Sequence, residues 1–170
     1  MISGIRAAGL AAALLLTATG AIGAPAPRVG IASLAELPTP LPLPYDANVD
    51  ARAQVAAART KARATGKRLL IDLGGDWCAD CRILAGIMRL PGVAAFVDAH
   101  YVVVMVDVGR MNRNLDIPAR YGVQGLEGVP ALLIVDSHDR LVNVGHVAAL
   151  ADARSMTPQA LADWLAQWAG

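Results

Sequence analysis

The chain has 170 residues, 55% hydrophobic and 17% charged, with a formal net charge of +1. That length suits one ordinary domain with extra segments at its ends, and the composition supports a well-filled core and excludes wholesale disorder. Basic and acidic residues nearly balance, so the sequence offers no basic face for nucleic acid and no acidic tail.

The first 23 residues read as an export signal. Arg6 supplies a short positive region, Ala7 to Leu16 an apolar stretch, and small residues follow, with cleavage favoured after Gly23. The lesser reading is an uncleaved N-terminal membrane anchor, because the apolar run from Ala7 to Ala26 can be stretched to spanning length. An exported, periplasmic location follows from the signal reading. Residues 24–45 form a Pro-rich spacer in which Pro38, Pro40, Pro42 and Pro44 alternate with other residues. Such a pattern favours extended polyproline conformation and cannot continue a helix.

The globular part is expected over residues 46–170. Val49 to Ala64 is Ala-rich and reads as a helix closed by Gly66. Arg68 to Leu73 is a short apolar strand, broken by Gly74 and Gly75. Ala79 to Leu90 carries Ile83, Leu84, Ile87 and Met88 at helical spacing, and Pro91-Gly92 ends it. A short helix around Val93 to Ala99 precedes Tyr101 to Asp107, whose β-branched run predicts a buried central strand in a parallel pair. Ile117 to Tyr121 reads as a short helix. Ala131 to Val135 and Leu141 to Val144 read as two strands joined by a turn at Asp136 to Asp139. Thr157-Pro158 caps a final amphipathic helix holding Leu161, Trp164, Leu165 and Trp168.

The chemistry gathers at Cys78 and Cys81, the only cysteines. A disulfide closing four residues restrains little of the unfolded chain, so stabilisation is a poor reason for the pair. A thiol at a helix N-terminus meets unsatisfied N–H groups and the positive end of the macrodipole, which favour the attacking thiolate. Cys78 is therefore expected as nucleophile, with Cys81 one turn on as resolving thiol. Zinc would need two more Cys or His ligands, and His100, His138 and His146 are widely scattered, so no metal is expected. Copper on the soft thiolates is not favoured. The redox-active cysteine pair is the only cofactor-like group expected.

The segment RLLIDLGGDWCADCR resembles the active-site segment of the thioredoxin superfamily, and YGVQGLEGVPALLIVD resembles its cis-proline segment. The resemblance implies an α/β thioredoxin fold, a central mixed β-sheet flanked by helices, from about Asp46 to Gly170. It implies a cis bond between Val129 and Pro130, facing the cysteines on a loop that pairs with an extended substrate segment. It also implies that Asp72 is a buried acid beneath Cys81, where it accepts the Cys81 proton during exchange. Trp77 then packs beside the cysteines and shapes the substrate face.

The chain departs from thioredoxins proper in several places. Asp80 stands in place of Pro and Asp76 adds a second acid, and negative charge near a thiol disfavours its thiolate. That leans the pair towards reductant. Gly74 replaces an aromatic, Val103 replaces a lysine, and Leu126 and Glu127 belong to an altered partner-recognition rim. The leading expectation is an exported thiol–disulfide oxidoreductase acting as a reductant on protein thiols and disulfides. It is expected to be a monomer and to draw electrons from a membrane electron-transfer donor. An oxidant or isomerase differs from it only in redox poise. A binding module or metallochaperone without turnover is the alternative from another class, and it should tolerate loss of Cys81, whereas an exchange catalyst should stall as a mixed disulfide.

Overall fold

The computed structural model describes residues 24–170, so the export signal expected at residues 1–23 lies outside the described residues. Helix α1 (Ala51–Thr65) starts where the Asp50 carboxylate accepts the Ala53 N–H, and ends at Gly66, whose φ of 67° closes the last turn. The chain then enters β1 (Arg68–Gly74), which runs into α2 (Ala79–Met88). Pro91 does more than end α2: it occupies the first turn of a new helix, α3 (Pro91–His100), set at 86° to α2. Strand β2 (Tyr101–Asp107), the one-turn helix α4 (Asp116–Ala119), β3 (Ala131–Val135) and α5 (Pro158–Gln167) complete the order.

The sheet is mixed and three-stranded, in the order β2-β1-β3, with β1 parallel to β2 and antiparallel to β3. The expectation that Tyr101–Asp107 is central is therefore corrected. It is an edge strand, and β1, buried from Leu69 onward, is the centre. The β-branched run misled because Val102, Val104 and Val106 do face a core, while Val103 and Met105 are only partly covered.

Alternation along the strands builds two cores. Leu69, Ile71 and Leu73 pack with Val55 and Ala62 of α1 on one face. Leu70, Leu132 and Ile134 pack with Leu84, Ile87, Val93, Leu161 and Leu165 of α2, α3 and α5 on the other.

The strand expected at Leu141 to Val144 is reduced to a single bridge, Val135 to Leu141. The turn at Asp136 forms, and Val142 N–H donates to the Ile134 carbonyl. Asn143, fully buried, then spends its side chain on β3: Oδ1 accepts the Ile134 N–H at 2.9 Å and Nδ2 donates to the Leu132 carbonyl at 2.8 Å. An amide side chain thus takes up the Ile134 N–H and the Leu132 carbonyl, where a continued fourth strand would have paired.

Residues 24–45 lie as a strap over the α2 and α5 side of the sheet. Gln159 of α5 bonds the Val29 N–H and the Pro27 carbonyl. A short 3-10 helix, Leu34–Glu36, carries a capping box from Ser33 and Glu36 and leads into buried Leu37. Arg82 of α2 then donates to the Leu41 and Pro42 carbonyls, and the strap ends at buried Tyr45.

Candidate active site

Strand β1 delivers Asp72 and then the two glycines to its C-terminal end, where α2 begins. The strand ends at Gly74, and the two glycines also make room beside it. A Cβ on Gly74 would stand 2.5 Å from the Tyr45 hydroxyl and 2.8 Å from Cys81 Sγ, and one on Gly75 would stand 2.5 Å from Trp77 Nε1.

Cys78 is the N-cap of α2, and its Sγ accepts the Cys81 N–H at 3.2 Å, the bond an N-cap oxygen would ordinarily take. The same sulfur lies 3.4 Å from the Val129 carbonyl oxygen. Helix geometry and the loop before β3 thus bring together Cys78, Cys81, Val129 and Pro130, which are more than fifty residues apart at the extreme. The Val129–Pro130 peptide bond is cis. Both cysteines are buried, with Cys78 at 4% and Cys81 at 0% exposure, and neither is bridged. Burial pushes the Cys81 thiol well above its ordinary range, and the neighbouring Cys78 and Asp72 push it further the same way.

Asp72 is fully buried, and burial raises its carboxyl from 3.8 to about 7, against a lowering pull from the Tyr45 hydroxyl. That hydroxyl donates to Asp72 Oδ1 at 2.8 Å. Oδ2 has no hydrogen-bond partner.

Trp77, next to Cys78 in the chain, is 44% exposed. Its Nε1 donates to the Gly109 carbonyl at 2.7 Å and Arg110 lies over its ring at 4.3 Å, so the loop after β2 fixes its orientation. Val129 and Pro130 are buried. A cleft of about 450 Å³ opens beside them, lined by Leu126, Glu127, Ala131, Gly145 and Val147.

The two acids expected to burden the thiols with negative charge are both engaged. Asp80 is only 3% exposed and is clasped by Arg154, whose Nε lies 3.0 Å from each carboxylate oxygen and whose N–H donates at 2.8 Å. Burial alone would raise this carboxyl, but the Arg154 bonds outweigh it and hold it below the ordinary range. Asp80 therefore presents a neutralised pair beside Cys78 instead of a bare charge. Asp76 accepts the Tyr45 backbone N–H at 3.1 Å.

Sequence reasoning missed Tyr45 and Arg154. Arg154 carries no local signal, since it meets Asp80 across 74 residues. Tyr45 had one: the missing aromatic at Gly74 leaves a space that another ring must fill. Among the described residues no group of three or more His, Cys, Asp or Glu side chains is arranged to hold a metal ion.

The family model described as Thioredoxin-like matches residues 50–137. Among solved structures, the chain is similar to a disulphide isomerase from Xylella fastidiosa Temecula1, with 37% identity over 74% of this chain and 96% of that one and a TM-score of 0.68. A protein of unknown function from Pseudomonas aeruginosa matches at 20% identity over 80% of this chain and 96% of that one, TM-score 0.39. A DsbH oxidoreductase matches at 17% identity over 84% and 96%, TM-score 0.42. No curated protein matches the chain. On a family match over half its length and a solved relative of the same architecture, the chain belongs to the thioredoxin-like family.

Proposed function

We propose that this chain is an exported thiol–disulfide oxidoreductase that works as a reductant. The observation that carries the exchange reading is Cys78 Sγ at the first turn of α2, held between the Cys81 N–H and the Val129 carbonyl. The 37%-identical relative bears the name disulphide isomerase, which belongs to the same class of chemistry.

In the first step the Cys78 thiolate attacks a sulfur of the partner's disulfide. The partner's S–S bond breaks, a mixed disulfide forms on Cys78, and the expelled thiolate takes a proton from solvent. Asp72 then accepts the Cys81 proton and the Cys81 sulfur attacks Cys78 Sγ. This breaks the mixed disulfide and expels the second partner thiolate, which also takes up a proton. The partner gains two electrons and two protons, and the chain is left with a Cys78–Cys81 disulfide. A membrane electron-transfer donor would return the two electrons. The exposed Trp77 ring, the backbone edge at Val129 and Pro130 and the adjoining cleft would seat the extended partner segment.

The reducing direction is supported by Asp76 beside the motif, since negative charge near a thiol disfavours its thiolate and oxidants of this class gain their potential from a stabilised reduced form. Burial holds Cys81 as the neutral thiol, so Asp72 must take its proton before it attacks. The test is the redox equilibrium of the pair in the chain from residue 24 onward, titrated in dithiothreitol buffers. A potential near that of thioredoxin, about −270 mV, is expected. A value near −120 mV would reverse the direction, and a pair that forms no reversible disulfide would overturn the exchange reading.

A further inference from the structure

The Asp72 carboxylate is buried and depends for orientation on a residue outside the core fold. Its in-register neighbours on β2 and β3 are Met105 and Leu132, both apolar. The titratable groups that bear on it are Cys81 from α2 and Tyr45 from the strap. Tyr45 is itself tied down, by its N–H on the Asp76 carboxylate and by the Arg82 bonds to the Leu41 and Pro42 carbonyls just before it. Asp76 and Arg82 flank the cysteine motif, so the strap is fastened to the element that carries the thiols. Gly74 leaves the space in which the Tyr45 hydroxyl and Cys81 Sγ both stand within 3 Å of one point.

We infer that Tyr45 is a positioning residue for thiol–disulfide exchange: its hydroxyl occupies Asp72 Oδ1 and leaves Oδ2 as the acceptor for the Cys81 proton. The inference rests on the exchange reading above. In the resolving step the S–H bond of Cys81 breaks, its proton goes to Oδ2, and the electron pair on sulfur forms the bond to Cys78 Sγ while the mixed disulfide breaks. The Tyr45 O–H bond stays intact throughout. Its hydrogen bond stabilises the ionised carboxylate, so it keeps Asp72 able to accept a proton at lower pH than burial alone would allow.

The experiment compares wild type with Tyr45→Phe, which keeps the ring and removes only the hydroxyl. The reduced chain is mixed with oxidised glutathione, quenched in acid at intervals, and the mixed disulfide on Cys78 is followed by mass spectrometry. In wild type its resolution should accelerate with pH through a midpoint near the Asp72 value of about 7. In Tyr45→Phe the midpoint should move up by about one pH unit, the scale of one hydrogen bond to a charged group, and the mixed disulfide should live several-fold longer below neutrality. Formation of the mixed disulfide should keep its pH dependence. In an Asp72→Asn background the same tyrosine change should add nothing further, because the two act as one unit. Superimposable profiles for wild type and Tyr45→Phe, or additive effects in the double variant, would overturn the role of Tyr45 while leaving the exchange reading intact. A wild-type chain that forms no mixed disulfide would overturn both.

Discussion

Asp72 keeps its proton into the neutral range because burial withholds the solvation a carboxylate needs, and one tyrosine hydroxyl only partly replaces it. The consequence for stability has a definite sign. With a folded-state value of about 7 against an ordinary 3.8, the folded chain holds a proton that the unfolded chain has released. Stability should therefore fall as pH rises between those two values. Asp72→Asn, which keeps the shape and removes the charge, should be more stable than wild type at pH 8 by on the order of 2–4 kcal/mol, with the gap closing below pH ~4. Urea unfolding at the two pH values measures this, and a gap that does not depend on pH would contradict it. At this scale the sequence announces what is local. Cys78, Cys81 and Asp72 sit within ten residues at spacings set by a strand, a turn and a helix start. Tyr45 meets Asp72 from 27 residues away, and Arg154 meets Asp80 from 74. No pattern of periodicity or capping encodes such meetings. Only the gap at Gly74, where the resemblance leads one to expect a ring, hints that a side chain must arrive from elsewhere.

Elements were legible in proportion to how far their own sequence decides them. Helix α1 has its Asp50 cap and Gly66 stop, and α5 has Thr157 and Pro158. Each signal is a local hydrogen-bond or backbone requirement, so it can be read without knowing the fold. Position within a sheet is a different matter, because an edge strand and a central strand can share a composition. Tyr101–Asp107 reads as central and lies at the edge. Leu141 to Val144 reads as a strand, yet beyond the Leu141 bridge and the Val142 N–H bond, the Ile134 N–H and the Leu132 carbonyl are paired by the side chain of Asn143. That substitution of side chain for backbone gives a testable cost. Asn143→Leu fills a similar space but leaves the Ile134 N–H and the Leu132 carbonyl without these partners in a buried site. It should destabilise the chain by roughly 2–4 kcal/mol, since two buried polar groups lose their bonds together. A midpoint shift in urea at unchanged slope would report it. A shift below about 1 kcal/mol would mean that β3 finds other partners.

At the scale of the molecule, the sheet and its helices are bound by a segment whose composition marks it as a connector. The strap begins where Ala24 N–H donates to the Ala169 carbonyl at 2.9 Å, crosses α5 and α2, and finishes beneath the cysteines. The two extremities of the described chain are thus in hydrogen-bond contact. That closeness predicts that the polypeptide can be cut open elsewhere and sealed here. A circular permutant that joins Ala24 to Gly170 through a few glycines and opens at the exposed turn between Ser137 and His138 should fold with an unchanged circular dichroism spectrum. It should also retain thiol exchange, with its tyrosine delivered to Asp72 from the middle of the chain. A permutant that folds but loses the pH profile of the parent would place the strap's anchorage at its Ala24 end. In a sealed ring, by contrast, the same fold would have no beginning at all.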